Sequence, residues 1–358
     1  MRVTRYLGTA AAGLALATFA ACAALAAEPS DAVKALAAAA DKEGSLNIMW
    51  GDGTLGGLEG LKRFQDQING AHGTHLKVTF TPGPSMPAMG NQIATMMAAG
   101  QPSPSDVYIA YVRTMGTLVN RHMFLKADWT SLNVPPDAIE VDGTMVKLVS
   151  ALPGILYNTQ KVPHKPEALT DFLKPEWKGK IASTPYVANF DMLASDIGWG
   201  PKRAIDFANQ VSPDLAGLLR CDELDRIASG EFIAYFITCT GNDADDLVKK
   251  GAPLAQVVAR DFPVIGYFYL SVPSNAPHPN AAKLFVANAL TPDGQKLVYD
   301  NWGSDLDLLP GSRTHERILK VEKEYGVKMA RFTVADALNN KIGNEAWTTI
   351  GKIFAQQK

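Results

Sequence analysis

Polar and aromatic side chains collect where predicted strands of the chain end. In the first half of the chain they are Trp50, Asp52, Thr54, Ser85, Tyr111 and Arg113, and in the second half Ser183, Thr184, Tyr186, Asn189, Asp191, Thr238 and Thr240. Carboxylates and stacked aromatic rings suit a desolvated cation, whereas an arginine and helix N-termini suit a carboxylate or phosphonate. These residues predict a site for one small polar ligand, and they leave its charge open.

A repeating pattern of strands and helices has to position these residues. Strands at 45–50, 76–81 and 107–110 are each followed by a loop and an apolar helical face. Such units predict a mainly parallel sheet, whose ligands bind beyond the carboxyl ends of the strands. Because 358 residues is long for one core, we expect an α/β fold with two lobes.

The stretch 151–186 reads as one unit within this pattern. It holds two short strands, Ile155 to Tyr157 and Lys180 to Ala182, separated by a segment that Pro163, Pro166 and Pro175 interrupt. Two strand ends therefore face one small region.

A glycine-rich loop follows the first strand. Gly51 to Gly56 matches G-x-G-x-x-G, but the next predicted strand, Leu76 to Thr81, lacks the carboxylate that a dinucleotide site needs for the ribose. We therefore interpret the loop as one whose backbone amides approach a polar or anionic group. A tight turn without a ligand is the alternative.

Two cysteines, Cys221 and Cys239, follow the N-terminal region. In an exported chain a disulfide between them is expected. The closed loop would add about 3 kcal/mol to stability in the chain-entropy model. Two free buried thiols are the alternative.

The N-terminus is typical of an exported protein. Arg2 and Arg5 precede an apolar run that ends in small residues, so residues 1–27 are interpreted as a cleaved signal peptide. Phe19 to Cys22 resembles a lipoprotein box, which leaves a lipid anchor at Cys22 open. We expect a periplasmic monomer, and the interspersed charges argue against nucleic acid as a partner.

Familiar catalytic motifs are missing from the sequence. It contains no H-E-x-x-H, G-x-S-x-G, S-x-x-K or Walker loop. Asp52 and Asp191 would serve acid/base chemistry only if the fold brought them together. We therefore expect a binding protein without a cofactor, and a secreted enzyme is a less favoured reading.

Several blocks together resemble extracellular solute-binding proteins of bacterial ABC transporters, above all the ferric-iron and polyamine/thiamine branch. The blocks are Lys42-Glu43-Gly44, Gly154 to Thr159, Trp177 to Ile181, Ser229-Gly230-Glu231, and His278 to Lys283 followed by Thr291 to Gln295. The resemblance implies a type II periplasmic binding fold with the ligand held between two lobes. Lobe 1 would comprise 28–153 plus 270–325, and lobe 2 would comprise 154–269 plus 326–358.

The same resemblance implies hinge strands at 145–157 and 267–272, and delivery of the ligand to a permease in the inner membrane. The ligand classes it allows are a polyamine, a carboxylate, a phosphonate, thiamine or chelated iron. A sensor or scaffold protein for a membrane receptor would share these features and is the alternative.

Iron-binding relatives carry adjacent tyrosines nine or ten residues after the Gly-Glu that matches Gly230-Glu231. Here those positions hold Thr240 and Gly241, and the nearest tyrosine is Tyr235 inside a predicted strand. Phenolate oxygen is the hard anionic donor that ferric iron needs. The sequence therefore predicts no metal site of the usual ferric type.

Overall fold

The computed structural model describes residues 30–241 and 244–356. The interpreted signal peptide, 1–27, and the possible lipid anchor at Cys22 lie outside these residues. Among the described helices, none combines the length and the apolar character that crossing a bilayer requires.

Strands of the chain are short and fall into three sheets. In chain order they are β1 (Ser45–Trp50), β2 (Lys77–Pro82), β3 (Tyr108–Tyr111), β4 (Ile139–Glu140), β5 (Met145–Ala151), β6 (Gly154–Asn158), β7 (Ile181–Ser183), β8 (Leu215–Leu218), β9 (Ala234–Phe236), β10 (Leu254–Val258), β11 (Val264–Ser271) and β12 (Ala330–Arg331).

Helices surround these sheets. They are α1 (Asp31–Glu43), α2 (Gly57–His72), α3 (Met86–Ala98), α4 (Val112–Leu118), α5 (Phe190–Leu193), α6 (Pro201–Val211), α7 (Asp225–Ala228), α8 (Asp245–Lys249), α9 (Pro279–Ala289), α10 (Pro292–Trp302), α11 (Arg313–Tyr325), α12 (Val334–Asn339) and α13 (Lys341–Ala355). Short 3-10 helices occur at Thr54–Gly56, Val119–Arg121, Pro136–Ala138, Val141–Gly143, Leu169–Leu173, Pro175–Trp177 and Ser212–Asp214.

The first helix shows how local sequence sets these bounds. Ser30 caps α1 through its hydroxyl, which accepts a hydrogen bond from the backbone N of Val33 at 3.2 Å. Gly44 ends the helix in the left-handed conformation. The buried side chains, Leu36 and Ala40 among them, form one face that packs against α9.

Lobe 1 is built on β11. This strand pairs antiparallel with β3 and β5 and parallel with β12, and β4 pairs with β5. The parallel pair β1–β2 joins it where the backbone N of Asp106 donates to the carbonyl of Asn47 at 2.7 Å. The carboxyl ends of β1, β2 and β3 therefore lie at one edge.

Lobe 2 is a single five-stranded sheet in the order β10-β6-β9-β7-β8. β7 runs parallel to β8 and β9, whereas β6 runs antiparallel to both of its neighbours. The carboxyl ends of β7 and β9 thus share an edge, and the loops that follow them carry several of the predicted site residues.

The chain crosses between the lobes more than once. β5 belongs to lobe 1 and β6 to lobe 2, so the first crossing is at Leu152-Pro153; the return lies between β10 and β11. The C-terminal part touches both lobes, because α12 packs on α4 while α13 packs on α5 and α6. The domain boundaries given above stay a prediction. They would put Val264 to Tyr269 of β11 and all of β12 in lobe 2, whereas both strands are described here with lobe 1 because they join the sheet of β5.

The expected two-lobed α/β class is confirmed, with one refinement. The two five-stranded sheets are mixed rather than mainly parallel, because β5, β6 and β10 run antiparallel to every strand they pair with, and β11 runs antiparallel to β3 and β5. The sequence patterns did not indicate β4, β8 and β12, which are short strands at sheet edges. Their side chains are half-buried or exposed, so they lack the apolar run that marks a central strand.

Candidate functional site

Two sheet edges from opposite lobes face each other, and we call the surfaces there the inter-lobe face. It comprises the loops after β1, β2 and β3 in lobe 1 and those after β7 and β9 in lobe 2. The lobes touch on it, since the hydroxyl of Tyr111 donates to the sulfur of Met192 at 3.4 Å. Ligands of open α/β sheets bind at such carboxyl ends.

The predicted site residues at the glycine-rich loop, Trp50, Asp52 and Thr54, differ in how far they are buried. Trp50 lies in the core with no exposed surface, and its indole N–H donates to the carbonyl of Val107 at 2.8 Å. It packs edge-on against Phe285, so it cannot stack on a ligand. Thr54 is also buried, whereas Asp52 is exposed.

Ser85 is the exposed residue that precedes α3. Its side chain makes no capping bond to the helix. The hydroxyl of Tyr108 fixes the start of α3 by donating to the carbonyl of Met86 at 2.8 Å. Ser85 is therefore presented to solvent at the expected edge of lobe 1.

Tyr111 and Arg113 come from the end of β3 and the first turn of α4. The Tyr111 ring packs against Phe268 with centroids 4.8 Å apart. The guanidinium carbon of Arg113 lies 3.7 Å from the centroid of the Trp347 ring. The buried Nε of Arg113 has no hydrogen-bond partner among the described residues.

Ser183 is the last residue of β7 and Thr184 follows it; both are fully buried. The hydroxyl of Thr184 is already engaged, because it accepts from the backbone N of Ala188 at 2.7 Å. The Oγ of Ser183, by contrast, finds no partner within the described part of the chain.

Asn189, Thr238 and Thr240 belong to contacts within lobe 2 and at the crossing. The amide of Asn189 donates to the carbonyl of Thr238 at 2.8 Å, and the hydroxyl of Thr238 accepts from the backbone N of Gly154 at 3.0 Å. The carbonyl of Thr240 accepts from the backbone N of Leu152 at 2.7 Å. These residues brace the first crossing.

Asp191 is the buried carboxylate of the inter-lobe face, with 2% of its surface exposed. Burial raises its pKa to about 6, although the charge of Arg113 and the backbone N–H groups of Asp191 and Met192 act in the opposite direction. Its Oδ2 has no hydrogen-bond partner among residues 30–241 and 244–356. Its backbone carbonyl accepts from the amide of Asn340 at 3.0 Å.

The predicted disulfide is confirmed. Cys221 and Cys239 are bonded with their Cα atoms 6.0 Å apart, which joins the loops after β8 and β9. Tyr186 lies beside it, because the backbone N of Cys221 donates to the Tyr186 hydroxyl at 2.9 Å. Tyr186 is 44% exposed and belongs to the rim of the inter-lobe face.

Arg113 and Asp191 are thus the charged pair that the structure brings together, with Tyr111 beside them. Asp52 and Asp191 are not joined by any described contact that would support acid/base chemistry. Sequence reasoning missed Trp347, which holds Arg113, and Asn340, which holds Asp191. Trp347 is fixed in turn because its indole N–H donates to the carbonyl of Val187 at 2.9 Å.

Metal-ligating groups do not converge in the described residues, where no set of three or more His, Cys, Asp or Glu side chains could hold an ion. Tyr235, the tyrosine nearest to the usual ferric-ligand positions, is fully buried in β9, with its hydroxyl 3.4 Å from the sulfur of Cys239.

This arrangement, two mixed sheets joined by short crossings with their strand ends facing each other, is the type II periplasmic binding protein fold. No model of a known protein family matches the sequence. One curated relative is an Fe(3+)-binding periplasmic protein of Serratia marcescens, 31% identical over 126 residues, which is 34% of this chain and 36% of that protein. The alignment thus spans about a third of the relative's length.

Solved structures resemble the chain over most of its length. The substrate binding protein of an ABC transporter from Agrobacterium tumefaciens superposes with a TM-score of 0.70 at 14% identity, covering 87% of this chain and 95% of that one. Iron-bound HitA from Pseudomonas aeruginosa gives 0.65 at 17%, covering 86% and 99%. PotD, a spermidine/putrescine transporter substrate-binding protein from Streptococcus pneumoniae, gives 0.60 at 16%, covering 87% and 98%. At these identities the likeness shows the fold.

Proposed function

We propose that the chain is the periplasmic solute-binding component of an ABC importer. It captures one small polar ligand on the inter-lobe face and delivers it to a permease in the inner membrane. The observation that carries this proposal is a pair of buried polar atoms, Arg113 Nε and Asp191 Oδ2, that have no partner in the described part of the chain. Their side chains come from opposite lobes and lie close enough for the charge of Arg113 to act on Asp191. Buried polar groups are normally hydrogen-bonded, so such a pair points to a bound group.

Hinge closure follows from the way the crossings are built. On the side of lobe 1, the hydroxyl of Ser150 donates to Asp307 at 2.7 Å, and the hydroxyl of Ser304 donates to the carbonyl of Ser150 at 2.6 Å. On the side of lobe 2, Thr238 bonds to the backbone N of Gly154. Leu152 and Pro153 lie between these two ends, and Leu152 is itself tied to lobe 2 because its backbone N donates to the carbonyl of Thr240. We therefore place the hinge of the lobes at Pro153.

The neighbours named above support this reading, since each is described as a binding protein. Transport of iron, polyamines or other solutes is stated for those proteins, and the ligand of this chain has to be argued from its own residues.

A thermal-shift panel tests the proposal. The purified protein is heated with polyamines, thiamine, ferric citrate, carboxylates, phosphonates and amino acids, one compound at a time. A ligand at a hundred times its Kd adds about 2.7 kcal/mol to stability, which raises the unfolding midpoint of a protein of this size by about 4 °C. A true ligand is recovered unchanged after incubation, and turnover of a compound would contradict the proposal.

A further inference from the structure

Two charged side chains from opposite lobes approach each other on the inter-lobe face without bonding. Arg113 is close enough for its charge to act on Asp191, yet no hydrogen bond joins them. Arg113 Nε and Asp191 Oδ2 are both buried and lack a partner in the described part of the chain. One atom is a donor and the other an acceptor, so a group lying between them can satisfy both.

Trp347 sets the orientation of the guanidinium. Its ring covers one face of Arg113 at 3.7 Å, and the indole is held by its bond to the carbonyl of Val187. A guanidinium stacked in this way keeps its N–H groups at the edge, where they match the paired oxygens of a carboxylate or phosphonate. Arg113 is therefore prepared for an oxyanion.

Asp191 is held equally firmly. Its main chain is fixed by the amide of Asn340, and its side chain is nearly without exposure. A buried acceptor without a donor carries a desolvation cost that a ligand N–H or O–H would remove. An ammonium group satisfies the charge as well as the hydrogen bond.

We propose that the ligand is a small zwitterion whose carboxylate or phosphonate pairs with Arg113 and whose ammonium group donates to Asp191. This inference rests on the proposed function and narrows its substrate class. Free polyamines are excluded as ligands, because they offer no anion to Arg113. Asp191 recognises the ammonium group of the ligand.

Two matched series of compounds test the inference on the full chain. One consists of β-alanine, propionate and propylamine, and the other of aminoethylphosphonate, ethylphosphonate and ethylamine. Unfolding midpoints and calorimetric affinities are measured for each compound. We expect the zwitterion of at least one series to bind at least tenfold more tightly than its anion, and the amines to give no shift.

Variants test which side chain binds which end of the ligand. R113Q should abolish the response to the zwitterion, and R113K, which keeps the charge without the planar fork, should weaken binding at least tenfold. D191N should reduce the affinity of the zwitterion to that of the anion alone. R203Q is the matched control, because the exposed Arg203 also stacks on a tryptophan, with its guanidinium carbon 3.9 Å from the Trp199 ring centroid, but lies in α6 and not in a loop of the inter-lobe face. It should bind as the wild type does.

Several outcomes would overturn the inference. One is that wild type binds amines or polyamines alone. Another is that a correctly folded R113Q binds the zwitterion as tightly as wild type does. The third is that wild type binds no compound of either series. The proposed function fails separately: it is contradicted when neither the broad panel nor a metabolite extract yields any ligand, or when a compound is turned over. A ligand from the broad panel that binds R113Q and wild type equally contradicts the inference and leaves the proposed function standing.

Discussion

At Asp191, burial and a neighbouring guanidinium act in opposite directions, and burial prevails. The carboxyl is held near a pKa of about 6 instead of its ordinary 3.8. Asp191 was among the residues that the sequence indicated, and so was Arg113, because both follow predicted strands. Their partners Trp347 and Asn340 were not indicated, because they lie close to the C-terminus and only the folded chain brings them to α4 and α5.

The raised pKa of Asp191 predicts how stability depends on pH. The folded state binds the proton more tightly than the unfolded state does, so Asp191 stabilises the fold below about pH 4, and this contribution is lost as pH rises through about 6. D191N has no carboxylate to ionise, so it keeps this stability as pH rises. Between pH 4 and 7 its unfolding free energy should rise relative to that of wild type by about 3 kcal/mol. Urea unfolding of the ligand-free proteins at both pH values measures it, and parallel pH profiles would contradict it.

At the scale of elements, loops after strands carry the site while the strands fix where those loops meet. The patterns of apolar residues predicted most central strands and long helices, and the βα order predicted the α/β class. They could not show that Trp50 turns into the core, since a tryptophan at the end of a strand suits a core and a binding face equally. Nor could local sequence show that Thr238 and Thr240 support the crossing, because those bonds join distant segments.

The disulfide predicts a redox effect on the loop after β9. This loop contacts the crossing through Thr238 and Thr240, and Cys239 ties it to Cys221 across 18 positions. Reduction, or the C221S/C239S double variant, should lower the free energy of unfolding by about 3 kcal/mol. Thermal unfolding with and without a dithiol measures the effect on wild type.

The double variant supplies the control, because its midpoint should not respond to the dithiol. A wild-type midpoint that is unchanged when mass spectrometry shows two reduced thiols would contradict the prediction.

At the scale of the whole molecule, the crossing is anchored in lobe 1 by a buried polar network. The backbone N of Asp307 donates to the hydroxyl of Ser150 at 2.9 Å, and Arg331 donates to the other carboxylate oxygen of Asp307 at 2.6 Å. Asp307 has 2% of its surface exposed. This network joins β5 and β12 to the loop between α10 and α11. The chain at the first crossing can therefore move only beyond Ser150.

Removing the Ser150 hydroxyl should therefore destabilise the protein. S150A leaves a buried carboxylate oxygen and a backbone N–H without their partner, and we expect a loss of about 1 to 3 kcal/mol. Chemical denaturation measures it, with S131A as the matched control, because the Ser131 hydroxyl is exposed and bonds to Asp128, three residues away. Equal stability of S150A and S131A would show that the network does not hold the crossing.

The central claim is that the two lobes bind one small ligand between them. Native mass spectrometry of the protein, exposed to a periplasmic extract and then freed of unbound solutes, tests it most directly. The account predicts one added mass per chain, of small-molecule size, that is present on wild type and R203Q and absent from R113Q. A wild-type spectrum that shows only the bare chain after exposure to the extract would contradict it.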